Sequence, residues 1–360
     1  MAEYLSHARP DLTLYWVGSP EIRAEVEAAL PRVIFLEKDK LRSNIKLLSC
    51  RYFFFSQMHN GDIATADVFR GATLTYLHHG MPIKKWAADG LNQGAPKATL
   101  KHRLSTWLSG ERRTYDYFAI SSAPHGKSYE TALAYKGYTK ERALPFGTPR
   151  NDMLVRNDEK EIAACRHAFA DTLGYPESAR VILYLPTYRR LSENVFSFAS
   201  LSPEEEARLD ATLAAHNAVI VEKSHMAENA RFDYRKKARI KFADPRANAQ
   251  EMLLCADALI SDYSGAFVNY VLLDRPVIHY AYDYDHYKNV DSGLYYEIED
   301  FAAGEVCYDF EGLLSAISDT LSGKDAYAAR RAHVRDTYVS YEKGDASARI
   351  AQAVIKGDKK

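Results

Sequence analysis

The chain has 360 residues, and its 47 Lys and Arg against 48 Asp and Glu leave a formal net charge of −1. With 47% hydrophobic and 26% charged residues it is too apolar and too neutral for a disordered chain, and its balance argues against a surface built wholly to neutralise nucleic-acid phosphates. Single cores stop growing near roughly 250–300 residues, so two domains are expected.

In chain order, Ala2–Ala8 reads as a helix with no strand before it, so the N-terminal domain is expected to lack its first strand. Short β-branched and aromatic runs then alternate with stretches of helical spacing, which predicts βα units on parallel sheets and an α/β class. In the first half the strands read as Leu12–Val17, Arg32–Leu36, Arg51–Ser56, Thr73–Leu77, Tyr117–Ile120 and Arg142–Phe146, with helices such as Pro20–Leu30 and Pro124–Tyr135, forming one doubly wound domain. Polar, charged Asn151–Leu173 reads as a helix that carries the chain to a second such domain. There the strands read as Val181–Leu185, Ala218–Glu222, Ile240–Phe242, Ala258–Ile260 and Val277–Tyr280, with helices including Pro203–His216, Ala247–Cys255 and Ala266–Leu273. Amphipathic helices follow Asp309, and the chain ends in a basic tail. The expected division is residues 1–157, 158–338 and a C-terminal helix and tail over 339–360, with a ligand cleft between the two domains.

Cys50, Cys165, Cys255 and Cys307 lack the close spacing of zinc or redox motifs, and the N-terminus has no apolar signal core. No apolar run approaches the ~18–20 residues needed to span a bilayer, so a cytoplasmic protein is expected.

The chemistry gathers at strand ends. In Thr75-Tyr-Leu-His-His-Gly-Met-Pro-Ile-Lys-Lys-Trp86 an apolar strand ends in two histidines, and His79 is the leading candidate for a general base; the bland alternative is a pair of loop histidines in a structural turn. Leu144-Pro-Phe-Gly-Thr-Pro-Arg-Asn-Asp152 ends a strand in a Gly and a Pro at a helix start, where N–H groups and Arg150 suit an anion, although a capped helix start explains it as well. Thr187 and Arg189 follow the strand ending at Leu185, and Lys223, Ser224 and His225 follow the one ending at Glu222. Ser261-Asp-Tyr-Ser-Gly265 lies between a strand and a helix, where small residues let backbone N–H groups approach a phosphate, or where ordinary N-capping suffices. No P-loop or G-x-G-x-x-G is present, and Asp283, Asp285 and His286 read as a hydrogen-bonding turn rather than a metal site. No metal and no cofactor are expected.

Taken in order, His79-Gly80-x-Pro82-x-Lys84, Gly147-x-Pro149-Arg150-Asn151-Asp152, Pro186-Thr187 with Arg189, Lys223-x-His225, Ser261-Asp262-Tyr263-Ser264, Pro276-Val-Ile-His-Tyr-Ala-Tyr-Asp283 and Gly293-Leu-Tyr-Tyr296 resemble the CDP-glycerol glycerophosphotransferase family of teichoic-acid and capsule synthesis. The resemblance implies a GT-B architecture of two Rossmann-like domains facing a central cleft, with CDP-glycerol held mainly by the C-terminal one and the acceptor by the N-terminal one. It implies attack of an acceptor hydroxyl on the β-phosphorus with release of CMP, a step that needs a base and phosphate clamps. On that mapping His79 takes the acceptor's proton and His225 stabilises the leaving CMP. Arg150, Thr187, Arg189, Lys223, Ser261, Asp262, Tyr263, Ser264 and Gly265 surround the donor phosphates, and Gly80, Lys84, Asn151 and Asp152 lie on the acceptor side.

Two positions depart from the family pattern: Met226 follows His225 where Pro is usual, and Gly265 stands where a second Ser is common. The implied acceptor is lipid-linked, at the inner face of the membrane, and the basic, Trp-containing stretch from Lys84-Lys-Trp86 through Lys97–Arg103 and Trp107 to Arg112-Arg113 suits either lipid headgroups or a solvated face. A CDP-ribitol donor, a nucleotide-sugar glycosyltransferase and a non-catalytic nucleotide-binding protein are the competing readings.

Overall fold

The computed structural model describes residues 1–90, 113–187, 195–223, 237–291 and 293–355. The chain forms two compact units: Met1–His79, Gln93–Asp152 and Tyr341–Lys360 make the first, and Gly80–Asn92 with Met153–Ser340 the second.

The first unit carries β1 (Leu14–Gly18), β2 (Val33–Glu37), β3 (Tyr52–Phe55), β4 (Thr73–Tyr76), β5 (Tyr117–Ala119) and β6 (Ala143–Leu144). Among the described residues they do not form one ladder: β1 pairs only with β2, and β3-β4-β5-β6 make a separate parallel sheet. The single doubly wound sheet expected from the alternation is thus split. Side chains bridge the split, since Leu12 and Leu14 close with Tyr52 and Phe54 around Leu5, Ala351 and Ile355. The C-terminal helix Ala346–Val354 is part of this unit, laying Ile350 and Val354 on Leu77, Ala119 and Leu144. It is therefore not the separate segment expected over 339–360; burial of its apolar face against the sheet fixes it there.

The second unit carries β7 (Arg180–Leu185), β8 (Ala218–Glu222), β9 (Ile240–Phe242), β10 (Ala258–Ser261), β11 (Val277–Tyr280) and β12 (Glu305–Cys307), all parallel, in the order β9-β8-β7-β10-β11-β12. This is the Rossmann order, in which the direction of winding reverses between β7 and β10, and ligands bind outside the strand ends at such a reversal. β7 shows why its sequence is apolar throughout. Val181, Leu183 and Leu185 pack with Phe267 and Tyr270 on one face, while Ile182 and Tyr184 pack with Leu209, Leu213 and Ile317 on the other.

The connection between the units is two helices rather than one. Asp152–Arg156 stops at Asn157, whose φ is 47°, and Asp158 then caps Glu159–Leu173 by accepting the N–H of Lys160 at 2.9 Å and of Glu161 at 3.1 Å. Among the described residues no helix is long and apolar enough to cross a membrane.

Candidate functional site

In the first unit β4 ends at Tyr76, and the chain runs through Leu77 directly into His78 and His79. The exposed His79 has Nδ1 3.3 Å from the Ser56 carbonyl oxygen, and its own carbonyl accepts a 2.7 Å bond from the Arg150 guanidinium. A carbonyl only accepts, so His79 Nδ1 holds a proton, and in the neutral ring the lone pair is then on Nε2, the arrangement a general base requires. Burial pulls the Arg150 guanidinium down from its ordinary value. The expected phosphate clamp therefore has a backbone partner here, the residue proposed as the base.

The turn Gly147–Asp152 does hold an anion, and the anion is Glu342. Its buried carboxylate accepts from the Ser121 hydroxyl at 2.7 Å, from the Thr148 N–H at 3.0 and 3.1 Å, from the Thr148 hydroxyl at 3.1 Å and from the Asn151 amide at 3.0 Å. Gly147 has φ 82°, and a Cβ there would press on the Glu342 carboxylate, so a side chain is strained at this position. Burial pushes the Glu342 carboxyl up to about 7 against the pull of these donors. Asp152 accepts the N–H groups of Ala346 and Ser347 at 2.8 and 2.9 Å, capping the C-terminal helix. Asn151 and Asp152, expected on the acceptor side, are both buried and bonded to the C-terminal segment.

In the second unit the turns after β7 and β10 flank the reversal, and Asp262 ties them together. Its buried carboxylate accepts the Thr187 N–H on both oxygens at 2.9 Å and the Ser264 N–H at 3.1 Å. His279 supports it from β11: its Nε2 accepts the Ala303 N–H at 3.0 Å, so Nδ1 carries the proton and donates to the Asp262 carbonyl at 3.3 Å. Burial pulls His279 down to about 4, keeping it neutral. Ser261 and Tyr263 are wholly buried, the first bonded to the Leu185 carbonyl at 3.4 Å, the second stacked on Tyr287 and donating to Asp283 at 3.2 Å. Ser261, Asp262 and Tyr263 are thus buried and frame the turn. Among the described residues Ser264 and Lys223 are half-buried beside the Thr187 and Gly265 turns, and the Ser264 hydroxyl accepts the Ala266 N–H at 3.3 Å. Burial lowers the Lys223 ammonium from its ordinary value, a cost that a bound anion would offset.

Two distant motifs meet beside this turn. A Cβ on Gly265 would stand 3.1 Å from the Met81 carbonyl, and Gly80, at φ 135°, faces the Asn269 amide. The backbone at Lys84 bridges Leu294, flanked by Lys85 N–H to Gly293 and Tyr295 N–H to Ile83. Gly80 and Lys84 thus serve the loop that follows His79 and its docking on the second unit's core, where Met81 and Ile83 are buried.

Arg189, Ser224 and His225 lie outside the described residues, as do residues 91–112 of the basic stretch. Arg113, at its edge, is engaged by Asp67 through two bonds of 2.5 and 2.8 Å. Among the described residues no group of three His, Cys, Asp or Glu side chains could hold a metal ion. Sequence reasoning missed Glu342, His125 and the framing role of His279. Only His279, inside a quoted motif, carried a local signal.

Residues 1–356 match the family described as CDP-Glycerol:Poly(glycerophosphate) glycerophosphotransferase. The teichoic acid poly(glycerol phosphate) polymerase of Bacillus spizizenii is 25% identical over 291 residues, 79% of this chain and 70% of the relative. The teichoic acid glycerol-phosphate transferase of Staphylococcus aureus is 27% identical over 298 residues, 80% and 73% respectively. The solved structure of the wall teichoic acid polymerase TagF, soaked with CDPG, superposes with a TM-score of 0.75 at 20% identity, covering 98% of this chain and 83% of that one. The α/β fold is thus of the GT-B type.

Proposed function

The chain belongs to the CDP-glycerol:poly(glycerophosphate) glycerophosphotransferase family, and from that premise we propose that it transfers glycerol phosphate from CDP-glycerol to a hydroxyl of a lipid-linked glycan or poly(glycerol phosphate), releasing CMP. The acceptor oxygen attacks the β-phosphorus, a new P–O bond forms as the bond to the CMP oxygen breaks, and the acceptor's proton passes to His79 Nε2. The observation that carries this reading is the tautomer of His79, fixed by the Ser56 carbonyl so that Nε2 is the basic nitrogen. The diphosphate is assigned to the reversal of the second sheet, with Lys223 and Ser264 as side-chain contacts and Thr187, Asp262 and Gly265 shaping the turns.

The test is CMP release from CDP-glycerol, with and without a lipid-linked acceptor fraction, by wild type, His79→Ala and His225→Ala. His79→Ala is expected to lower turnover by about 10²–10⁴-fold while leaving CDP-glycerol affinity intact. Full turnover by His79→Ala removes the base assignment, and preference for CDP-ribitol or release of a nucleoside diphosphate from a nucleotide-sugar replaces the donor.

Peripheral binding at the inner face of the membrane is part of the same proposal, supported by the helix Leu41–Leu47. Its inner face buries Ser43 and Leu47, while Leu41, Ile45 and Leu48 are 76%, 59% and 57% exposed along the outer face, beside the exposed cations Lys40, Arg42 and Lys46. Three aliphatic side chains are too few for a stable protein interface of roughly 800 Å² per partner. Flanked by cations they suit an anionic bilayer, where the aliphatics dip below headgroup phosphates. Co-sedimentation with vesicles containing phosphatidylglycerol, lost on changing all three to Ser and absent with phosphatidylcholine alone, is the expected result; unchanged binding by the triple variant refutes this surface.

A further inference from the structure

His78 precedes the proposed base and has φ 58°, in the left-handed region that few residues other than Gly adopt, Asn, Asp and His most often among them. Its imidazole is 3% exposed, and its Nδ1 lies 3.2 Å from Nε2 of His125, which is wholly buried. His125 is anchored from behind: its Nδ1 faces the Ser121 N–H at 3.0 Å, and a backbone N–H only donates. The His125 proton is therefore on Nε2, directed at His78 Nδ1 and at the Tyr129 hydroxyl 2.7 Å away. Burial pulls His125 down to about 3, so this neutral tautomer persists at any working pH. The donors run one way, from Ser121 to His125 to His78. On the other side, the rings of His78 and His79 lie 4.2 Å apart between centroids.

We propose that His78 is a positioning residue for the transfer, pinned by His125 in a left-handed turn so that the end of β4 aims His79 at its substrate. The proposal rests on the reading of His79 as the base. The Ser56 carbonyl fixes the ring of His79 and Arg150 fixes its carbonyl, while His78 fixes the backbone from which that ring departs. A displaced catalytic group loses turnover without losing the donor, because the donor's contacts lie elsewhere.

Two substitutions isolate the link. His78→Gly accommodates the left-handed backbone and removes the acceptor. His78→Asn is also tolerated at positive φ, and its Oδ1 stands where Nδ1 stood, ready to accept from His125. The expected result is a fall in kcat on the order of 10²-fold for His78→Gly with KM for CDP-glycerol unchanged, and recovery of most of that loss in His78→Asn. If the glycine variant does not fold, His125→Phe asks the same question with His78 intact, and the same split between kcat and KM is expected. Wild-type kcat in His78→Gly, or a folded His78→Asn as slow as His78→Gly, overturns the proposal. His79→Ala separates the two levels: full turnover there defeats the base assignment itself, whereas an inactive His79→Ala beside a fully active His78→Gly defeats only the positioning role.

Discussion

The turns at Gly147–Asp152 and at Ser261–Gly265 have the same composition of small residues, hydroxyls and a carboxylate or arginine after a strand, and both hold a buried carboxylate on backbone N–H groups. In the second unit that carboxylate is the turn's own Asp262, which clasps the N–H groups of Thr187 and Ser264. In the first unit it is Glu342, brought from the far end of the chain to Thr148 and Asn151. Donors at a strand end therefore do not by themselves mark a ligand site: what matters is whether the chain supplies its own anion. The first turn is filled by one, whereas the second uses its anion to shape two loops, beside which Lys223 and Ser264 are half-buried.

The largest expected effect is at Asp262. Asp262→Ala leaves the buried Thr187 N–H and the half-buried Ser264 N–H without their acceptor and should cost about 2–5 kcal/mol, read by urea unfolding, together with loss of CDP-glycerol binding. A stable variant that still binds donor would erase the distinction between the two turns. Next is Gly147→Ala, which meets both a positive φ and the Glu342 carboxylate and should cost about 2–4 kcal/mol in the same assay. A cost below about 1 kcal/mol would mean that Glu342 is not held as tightly as Asp262.

The third effect depends on pH. The folded Glu342 carboxyl is raised to about 7 from an ordinary 4.5, so the folded state binds the proton more tightly than the unfolded chain. Its contribution is fully present below about 4.5 and is lost as pH rises through about 7. Relative to Glu342→Gln, wild type should thus lose up to about 3 kcal/mol of stability between pH 4.5 and 8, visible as converging or crossing melting temperatures. The smallest effect is at Gly265: a serine Cβ presses on the Met81 carbonyl at 3.1 Å, and a shift of a few tenths of an ångström accommodates it, so Gly265→Ser should change stability by less than about 1 kcal/mol and donor affinity little.

The parts of this molecule legible from sequence are those whose determinants are local. β7, β8, β10 and β11 announce themselves as apolar runs because both faces of each are covered. β12 does not, being three residues that begin on Glu305. The helix break at Asn157 hides because Asp158, its cap, reads equally well as one more charge on a polar helix. His79 was visible at its strand end, but the partners that give it a tautomer and an orientation, the Ser56 carbonyl, Arg150 and, through the adjacent His78, His125, come from three other places in the chain. Glu342 was beyond reach altogether, because its meaning depends on a turn nearly two hundred positions earlier.

That long return has a consequence for biogenesis. All but a short segment of the second unit, Met153–Ser340, is contiguous, whereas the first unit needs Tyr341–Lys360 to be complete. During translation at roughly 5–20 residues per second, the ribosome spends roughly 10–40 s between Asp152 and Tyr341. Through that interval the turn at Gly147 has no carboxylate and the sheet around Leu77, Ala119 and Leu144 has no covering helix. The half of the protein that emerges first is thus the half that closes last, and the nascent chain carries an open apolar surface until Tyr341–Lys360 follows.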